Sequence, residues 1–232
     1  MANLTIIIPV YNEEKTILKI VEEVKKVRLT NIKKEIIIVD DFSTDGTRNI
    51  LKGIKDKSIK IFSHDKNIGK GAAIRTALKH STGDIILIQD ADMEYSPKEY
   101  SRLLKPILQE KTDVVYGSRM DVIRKNLKRM YKIHFIGNVF LTLITNLLYG
   151  SKITDMETGY KVFRKEVIKN ISLNARRFDF EPEITAKILK KGCRIQEIPI
   201  GFNARKFHEG KKITWRDGIK ALFYLIKYRF VD

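Results

Sequence analysis

The sequence predicts an α/β fold in which helices cover both faces of a mostly parallel central sheet. Three observations carry this prediction. Short apolar runs alternate with segments of helical periodicity through the first half of the chain. The runs are continuous rather than alternating, so each strand is expected to be buried on both faces. Acidic and glycine-containing clusters follow the runs directly, where sheets of this kind collect ligands beyond the carboxyl ends of their strands.

Leu4 to Val10 is the first such run, and Glu14 to Val27 the first helix, with Ile17, Ile20, Val21 and Val24 on one face. Glu35 to Val39 reads as a strand. Thr44 to Ile54 reads as a helix with Thr44 at its N-cap. Ile59 to Ser63 is a third strand, Gly71 to His80 a helix, and Asp84 to Gln89 a fourth strand. A helix over Pro97 to Glu110 and a short strand at Val114 and Val115 close the series. The second half reads as helical. After the basic stretch Arg124 to Lys132, the segment Ile133 to Ser151 carries no charged residue. It approaches spanning length, but His134, Asn138, Thr142, Thr145 and Asn146 interrupt it. A buried or interfacial helix is therefore expected rather than a membrane span. Helical segments follow at Arg176 to Lys191 and Trp215 to Phe230.

A chain of 232 residues with 43% hydrophobic content holds one substantial core. We expect one domain. The single cysteine, Cys193, excludes an internal disulfide framework. The first apolar run is too short for a signal peptide and meets Asn12, Glu13 and Glu14 at once, so a cytoplasmic location is expected. The net charge of +17 suits anionic lipid or phosphorylated ligands, or is a solvated lysine-rich surface. A nucleic-acid-binding protein would share that charge. It would not need carboxylates at strand ends, and no nucleic-acid motif is present.

Asp90-Ala91-Asp92 follows the fourth strand directly. Two carboxylates one residue apart at a strand end can meet one hard cation, and Glu94 can add a third oxygen ligand. An acidic loop capping the next helix is the alternative reading. Asp40 and Asp41 end the second strand, where carboxylates can accept from a base or ribose, or serve as turn and cap residues. Pro9 and Tyr11 after the first strand can form a flat wall for a base. Asn67 to Leu78 places Gly69, Lys70 and Gly71 before a helix, so that Lys70 and Arg75 favour an anion there, or the segment is a plain loop-to-helix turn.

The ordered set IPVYNEE, VDDFSTDGT, NIGKGAAIR, QDADMEYSP and DVVYGSR resembles the family 2 glycosyltransferases with the GT-A fold, which implies that residues 1–119 are a Rossmann-like, nucleotide-sugar-binding half and residues 120–232 an acceptor- and membrane-facing half. TDMETGYKVFR and RRFDFEPEITAKILKKG extend the likeness over nearly the whole chain. They narrow it to the branch resembling dolichyl-phosphate mannose synthases and other polyprenyl-phosphate hexosyltransferases. The resemblance implies that Pro9, Tyr11, Glu13, Asp40 and Asp41 contact the nucleoside of GDP-mannose or UDP-glucose. Asp90, Asp92 and Glu94 would hold magnesium or manganese on its diphosphate. Glutamine is usual where this chain has Glu94. Arg119 and Arg205 match basic positions that face phosphates, with Lys212 and a basic residue among Arg124 to Arg129 as further candidates. Many relatives carry transmembrane helices after this point; here attachment is expected to be peripheral, on the cytoplasmic face, or through a membrane-protein partner.

The resemblance also implies inversion at the anomeric carbon, with a polyprenyl phosphate as acceptor. A sugar hydroxyl is the other acceptor class, and it needs a carboxylate base. A phosphate monoester, with a second pKa of about 6, does not. Asp155, Glu157, Asp179 and Glu181 are the carboxylates available for such a role, or Asp155 and Glu157 orient the arginines.

Overall fold

The computed structural model describes residues 2–125, 132–205 and 215–231. Their strands form a seven-stranded sheet in the order β3-β2-β1-β4-β6-β5-β7. The strands are β1 (Ala2–Val10), β2 (Ile32–Asp40), β3 (Ile59–Ser63), β4 (Ile85–Ile88), β5 (Val114–Ser118), β6 (Lys161–Arg164) and β7 (Ile195–Pro199). β1 runs parallel to β2 and β4, β2 to β3, and β5 to β7; β6 alone is antiparallel to both its neighbours. The α/β class with a mostly parallel sheet is as expected. The helices are α1 (Ile17–Lys26), α2 (Thr47–Gly53), α3 (Lys70–His80), α4 (Tyr100–Leu108), α5 (Met120–Lys125), α6 (Lys132–Tyr149), α7 (Lys165–Lys169), α8 (Phe180–Lys190) and α9 (Trp215–Phe230).

The continuous apolar strands split by alternation between two cores. Ile6, Ile8, Ile36, Ile38 and Leu87 pack with Ile17, Ile20, Val21 and Val24 of α1 on one face. Ile7, Ile37, Val39, Ile86 and Ile88 pack with Ala73, Ile74 and Ala77 of α3 and Ile184 and Ile188 of α8 on the other. That double burial is why each strand reads as an unbroken run. A third cluster joins Leu141 of α6 to Ala186 of α8 and to Ala221, Leu225 and Tyr228 of α9.

Four local readings change. α2 begins at Thr47, not Thr44. The Thr44 backbone N–H donates instead to Asn12 Oδ1 at 2.7 Å, tying two loops together. The Pro97 to Glu110 segment opens with a 3-10 turn and its α-helix ends at Leu108. Arg176 to Asp179 precede α8 rather than belong to it. The half expected to be helical supplies two strands, β6 and β7. Four residues of β6 carry too little periodicity to read alone, and its place between β4 and β5 is set by tertiary pairing.

α6 and α9 leave apolar side chains facing outward. Ile136, Phe140, Leu143 and Leu147 on α6, and Ile219, Phe223 and Phe230 on α9, are exposed. Among the described residues, no helix is long and apolar enough to cross a membrane.

The turn before β4 lies against β1 so closely that a Cβ on Gly83 would fall 2.6 Å from the Thr5 backbone nitrogen and 2.9 Å from the Asn3 carbonyl oxygen. Backbone cannot swing aside as a side chain can. Gly83→Ala should therefore lose about 1–3 kcal/mol in urea unfolding. Unchanged stability would mean that this turn does not sit against β1 in solution.

Candidate active site

A cavity of about 290 Å³ opens beyond the carboxyl ends of the parallel strands. Pro9, Tyr11, Glu13, Asp41, Lys70, Asp90, Asp92, Glu94, Arg119, Glu157 and Arg205 all line it, as does Glu181. Most of the residues singled out in the sequence thus meet in one place, brought there from loops after β1, β2, β4 and β5 and from the second half.

Asp40 and Asp41 part company. Asp40 is fully buried and accepts from the Ser43 N–H at 3.1 Å and from Arg48 Nε at 2.8 Å. It is not among the residues lining the cavity, so its carboxylate is a loop and ion-pair anchor. Asp41 does line it, yet its carboxylate organises the next loop. It accepts from the Gly69 N–H at 2.7 Å, the Ile68 N–H at 2.9 Å and Asn67 Nδ2 at 2.9 Å, and it pairs with His64 Nδ1 at 2.8 Å.

The glycine-containing start of α3 is not an open anion site. Its first amides are already bonded: Gly71 N–H to the Arg177 carbonyl at 3.2 Å and Ala72 N–H to the Arg176 carbonyl at 3.0 Å. Gly69 adopts φ +116°, and a Cβ there would lie 2.4 Å from the Arg176 oxygen. The glycines let the 175–177 segment approach. Lys70 reaches the cavity; Arg75 does not. Arg75 Nη1 donates to the Asn174 carbonyl at 3.1 Å and borders a separate cleft. Five residues of helix turn it roughly 140° away from Lys70.

Lys70 Nζ bridges Asp90 Oδ1 at 2.8 Å and Glu181 Oε1 at 2.9 Å. Burial works against its charge, but Asp90 and Glu181 outweigh burial and raise its pKa. Arg205 grips Glu13 with two bonds of 2.9 Å and lies 3.2 Å from Asp92 Oδ2. Its backbone N–H donates to Glu94 Oε1 at 2.8 Å. Burial, then the charges of Asp90 and Glu94, push the Asp92 carboxyl up to about 7. Burial raises Glu94 as well. Among the described residues no cluster of three acidic, histidine or cysteine side chains is assembled to hold a metal. Asp90, Asp92 and Glu94 are therefore not a ready three-ligand cage; their oxygens are engaged with Lys70 and Arg205. The donor set is nonetheless all carboxylate, and its crowding is relieved by positive charge. That fits a hard cation held by the two aspartates and completed by ligand oxygens.

Arg119 and Asp155 form a buried pair. Asp155 Oδ2 accepts from Arg119 Nε at 2.7 Å and from its backbone N–H at 2.9 Å, and Oδ1 accepts from Nη2 at 2.6 Å. Asn138 Nδ2 of α6 adds a bond to Oδ1 at 2.8 Å. Burial opposes ionisation of Asp155, but Arg119 and these bonds hold its carboxyl below the usual range. An acid so held is a poor proton acceptor and orients Arg119. Glu157 behaves oppositely: burial and then Glu181 push its carboxyl up to about 7. Lys212 and residues 126–129 lie outside the described residues; Arg124 is exposed on α5.

Three residues in or behind the site escaped the sequence reading, and of these Gly159 lines the cavity. Lys161 is buried within β6 and donates to the carbonyls of Met156 and Thr158, at 2.9 and 2.5 Å. Burial brings its pKa down to about 8. Glu197 of β7 accepts from the N–H groups of Thr154 and Asp155, at 2.7 and 2.9 Å. Gly159 packs against Asp90, where a Cβ would fall 2.1 Å from Oδ2. Only Gly159 had a signal, a glycine inside a polar motif.

Removing one partner of a buried ion pair leaves the other charge uncompensated. Asp155→Asn should lose about 3–5 kcal/mol in urea unfolding at pH 7. In the native protein this stabilisation is present above the carboxylate pKa of the unfolded chain and lost as pH falls through the lowered folded value. A loss near zero for Asp155→Asn would show that the pair is not buried in solution.

Residues 5–172 match the family model described as glycosyl transferase family 2. The chain is 33% identical to the UDP-N-acetylglucosamine–dolichyl-phosphate N-acetylglucosaminyltransferase of Methanococcus voltae, over 95% of this chain and 94% of that one. It is 30% identical to a dolichyl-phosphate beta-glucosyltransferase of Trichomonas vaginalis, over 97% of this chain and 72% of that one. Among solved structures it resembles glucosyl-3-phosphoglycerate synthase from Mycobacterium tuberculosis, in complex with Mn2+, UDP and glucosyl-3-phosphoglycerate. The TM-score is 0.75 at 18% identity, covering 100% of this chain and 81% of that one. The resemblance read from the ordered motifs is borne out: the chain belongs to glycosyl transferase family 2 and has its GT-A fold.

Proposed function

We propose that this protein is an inverting, metal-dependent hexosyltransferase that moves a sugar from a nucleoside-diphosphate sugar to a polyprenyl phosphate. The observation that carries the reading is one cavity at the strand ends with the Asp90 and Asp92 carboxylates on one side and Arg119 among its cations. The names of the relatives, which transfer sugars to dolichyl phosphate, support the acceptor class. A uridine donor, as in the name of the Methanococcus relative, is favoured over GDP-mannose.

In this reading Pro9, Tyr11 and Asp41 line the nucleoside end, and Asp90 and Asp92 hold a magnesium or manganese ion. When bound, that ion supplies Lewis-acid stabilisation of charge growing on the leaving diphosphate. Lys70 shares Asp90 with it and stands beside the same oxygens. Arg119, kept in place by Asp155, presents fixed positive charge without reorganisation. The acceptor phosphate is already an oxyanion near neutral pH, so no residue need take a proton from it. Arg205 then serves as a bidentate positioning group once released from Glu13.

A second reading, transfer to a sugar hydroxyl, is favoured by Glu157, whose raised carboxyl is suited to a general base. The pH profile separates the two. A phosphate acceptor should give a rate rising through about 6, with Glu157→Gln leaving that midpoint unchanged. A base would give a midpoint near 7 that vanishes in the variant.

The exposed apolar rows of α6 and α9, with exposed Lys220, Lys227 and Arg229 alongside, support peripheral attachment to an anionic membrane on its cytoplasmic face. Each basic residue near such a surface contributes about 1 kcal/mol.

Two outcomes follow. Asp92→Ala should lower transfer at least about 100-fold while retaining the native circular dichroism spectrum, and excess chelator should do the same to the wild type. Full turnover in chelator would remove the metal from the mechanism. The wild type should sediment with phosphatidylserine vesicles in a salt-weakened manner, and Leu143→Asp/Leu147→Asp should not. Equal sedimentation of both proteins would exclude this face as the membrane contact.

A further inference from the structure

Glu157 and Glu181 both line the cavity, and each carries one buried carboxylate oxygen without a hydrogen-bond partner among the described residues: Oε1 of Glu157 and Oε2 of Glu181. The Glu181 side chain is only 7% exposed. Buried acceptors are nearly always satisfied, and one left open calls for a donor from a ligand. The neighbouring cations among the described residues are committed elsewhere. Lys70 holds Asp90 and the other oxygen of Glu181, Arg119 holds Asp155, and Lys161 holds two carbonyls.

Their position says which part of a ligand they meet. Glu181 is one ammonium group away from Asp90, through Lys70. Glu157 lies two residues before Gly159, which is packed against the other oxygen of Asp90. Both therefore flank the end of the cavity where the diphosphate is held in the glycosyl-transfer reading, on which this inference rests. The group attached at that end is the sugar. Neutral hexoses present hydroxyl donors. A uronic acid sugar presents a carboxylate with no proton to give and a charge of the same sign.

We propose that Glu157 and Glu181 read the donor sugar, accepting hydrogen bonds from the hydroxyls of a neutral hexose and rejecting a uronic acid sugar. A glutamine at either position keeps an acceptor oxygen but removes the charge and adds an N–H donor, so it should admit the uronate.

The test is isothermal titration of the full chain at about pH 8, where Glu157 is ionised, with UDP, UDP-glucose and UDP-glucuronic acid in the presence of manganese, and with GDP and GDP-mannose run in parallel. The wild type should prefer UDP-glucose to UDP-glucuronic acid by about 30-fold or more. Glu157→Gln and Glu181→Gln should each narrow that ratio about tenfold, and Glu157→Gln should leave UDP affinity within about twofold. The proposal is overturned if both variants keep the wild-type ratio, if UDP affinity falls as much as UDP-glucose affinity in Glu157→Gln, or if the wild type binds the two sugars equally. Should Glu181→Gln not fold, Glu157→Gln decides by itself. A wild type that binds none of the five nucleotides overturns the glycosyl-transfer reading itself, a result distinct from lost selectivity.

Discussion

The Asp155 carboxylate accepts three hydrogen bonds from Arg119 and one from Asn138, all within 2.6–2.9 Å, and it does so with no exposed surface. That arrangement is the constraint on which the second half of the fold depends. A guanidinium 7% exposed needs a partner that reaches it in the same dry place. The chain therefore has to bring the 154–159 loop under the end of β5. Glu197 of β7 holds the loop from one side by its first two N–H groups, and Asn138 of α6 holds it from the other. β6, the one antiparallel strand, follows from this: it carries the chain from that loop back between β4 and β5. Lys161, at its start, ties down the carbonyls of Met156 and Thr158.

Around the cavity, two cations each bridge a pair of carboxylates. Glu13 meets Arg205, Arg205 meets Asp92, Asp90 meets Lys70, and Lys70 meets Glu181. Four carboxylates against two cations leave this set net negative, short of the positive charge that a bound cation would bring. On the proposed reading, a metal–diphosphate ligand would bring both signs of charge, with Asp90 and Asp92 facing the cation and Lys70 and Arg205 facing the phosphates. Asp92 is the member least well compensated, since its carboxyl is pushed up to about 7 by burial and by two neighbouring carboxylates.

The parallel half was legible because its strands are buried on both faces and announce themselves as continuous apolar runs. The loops after them were legible as chemistry only through the ordered set of motifs, since glycine and aspartate after a strand also serve plain turns. The roles within those loops were not. Asp40 and Asp41 are adjacent and chemically identical, yet strand alternation sends one toward Arg48 and the other toward the Asn67–Gly69 loop. Arg75 and Lys70 sit on one helix, and only counting the turn between them separates the cavity from the cleft behind it. Lys161 was invisible because a lysine in a short apolar run reads as an exposed strand residue until the carbonyls that accept from it are known.

α6 shows how a pattern misread as interruption carries the most information. In the sequence, Asn138, Thr142, Thr145 and Asn146 look like breaks in a membrane span. Their spacings from the first are four, seven and eight residues, which is one stripe of a helix. In the fold the stripe faces inward. Asn138 bonds Asp155, the Thr142 hydroxyl accepts the Met156 N–H at 3.1 Å, and Asn146 Nδ2 donates to the Ile153 carbonyl at 2.8 Å. The polar face reads the protein and the apolar face is left to the outside, the reverse of a helix on a water-facing surface. In the proposed function that outer face has the membrane to meet. Its inner face is one side chain, Asn138, from the pair that fixes Arg119. On the proposed reading, the surface that meets the lipid and the arginine that meets the lipid's phosphate are two sides of the same helix contact.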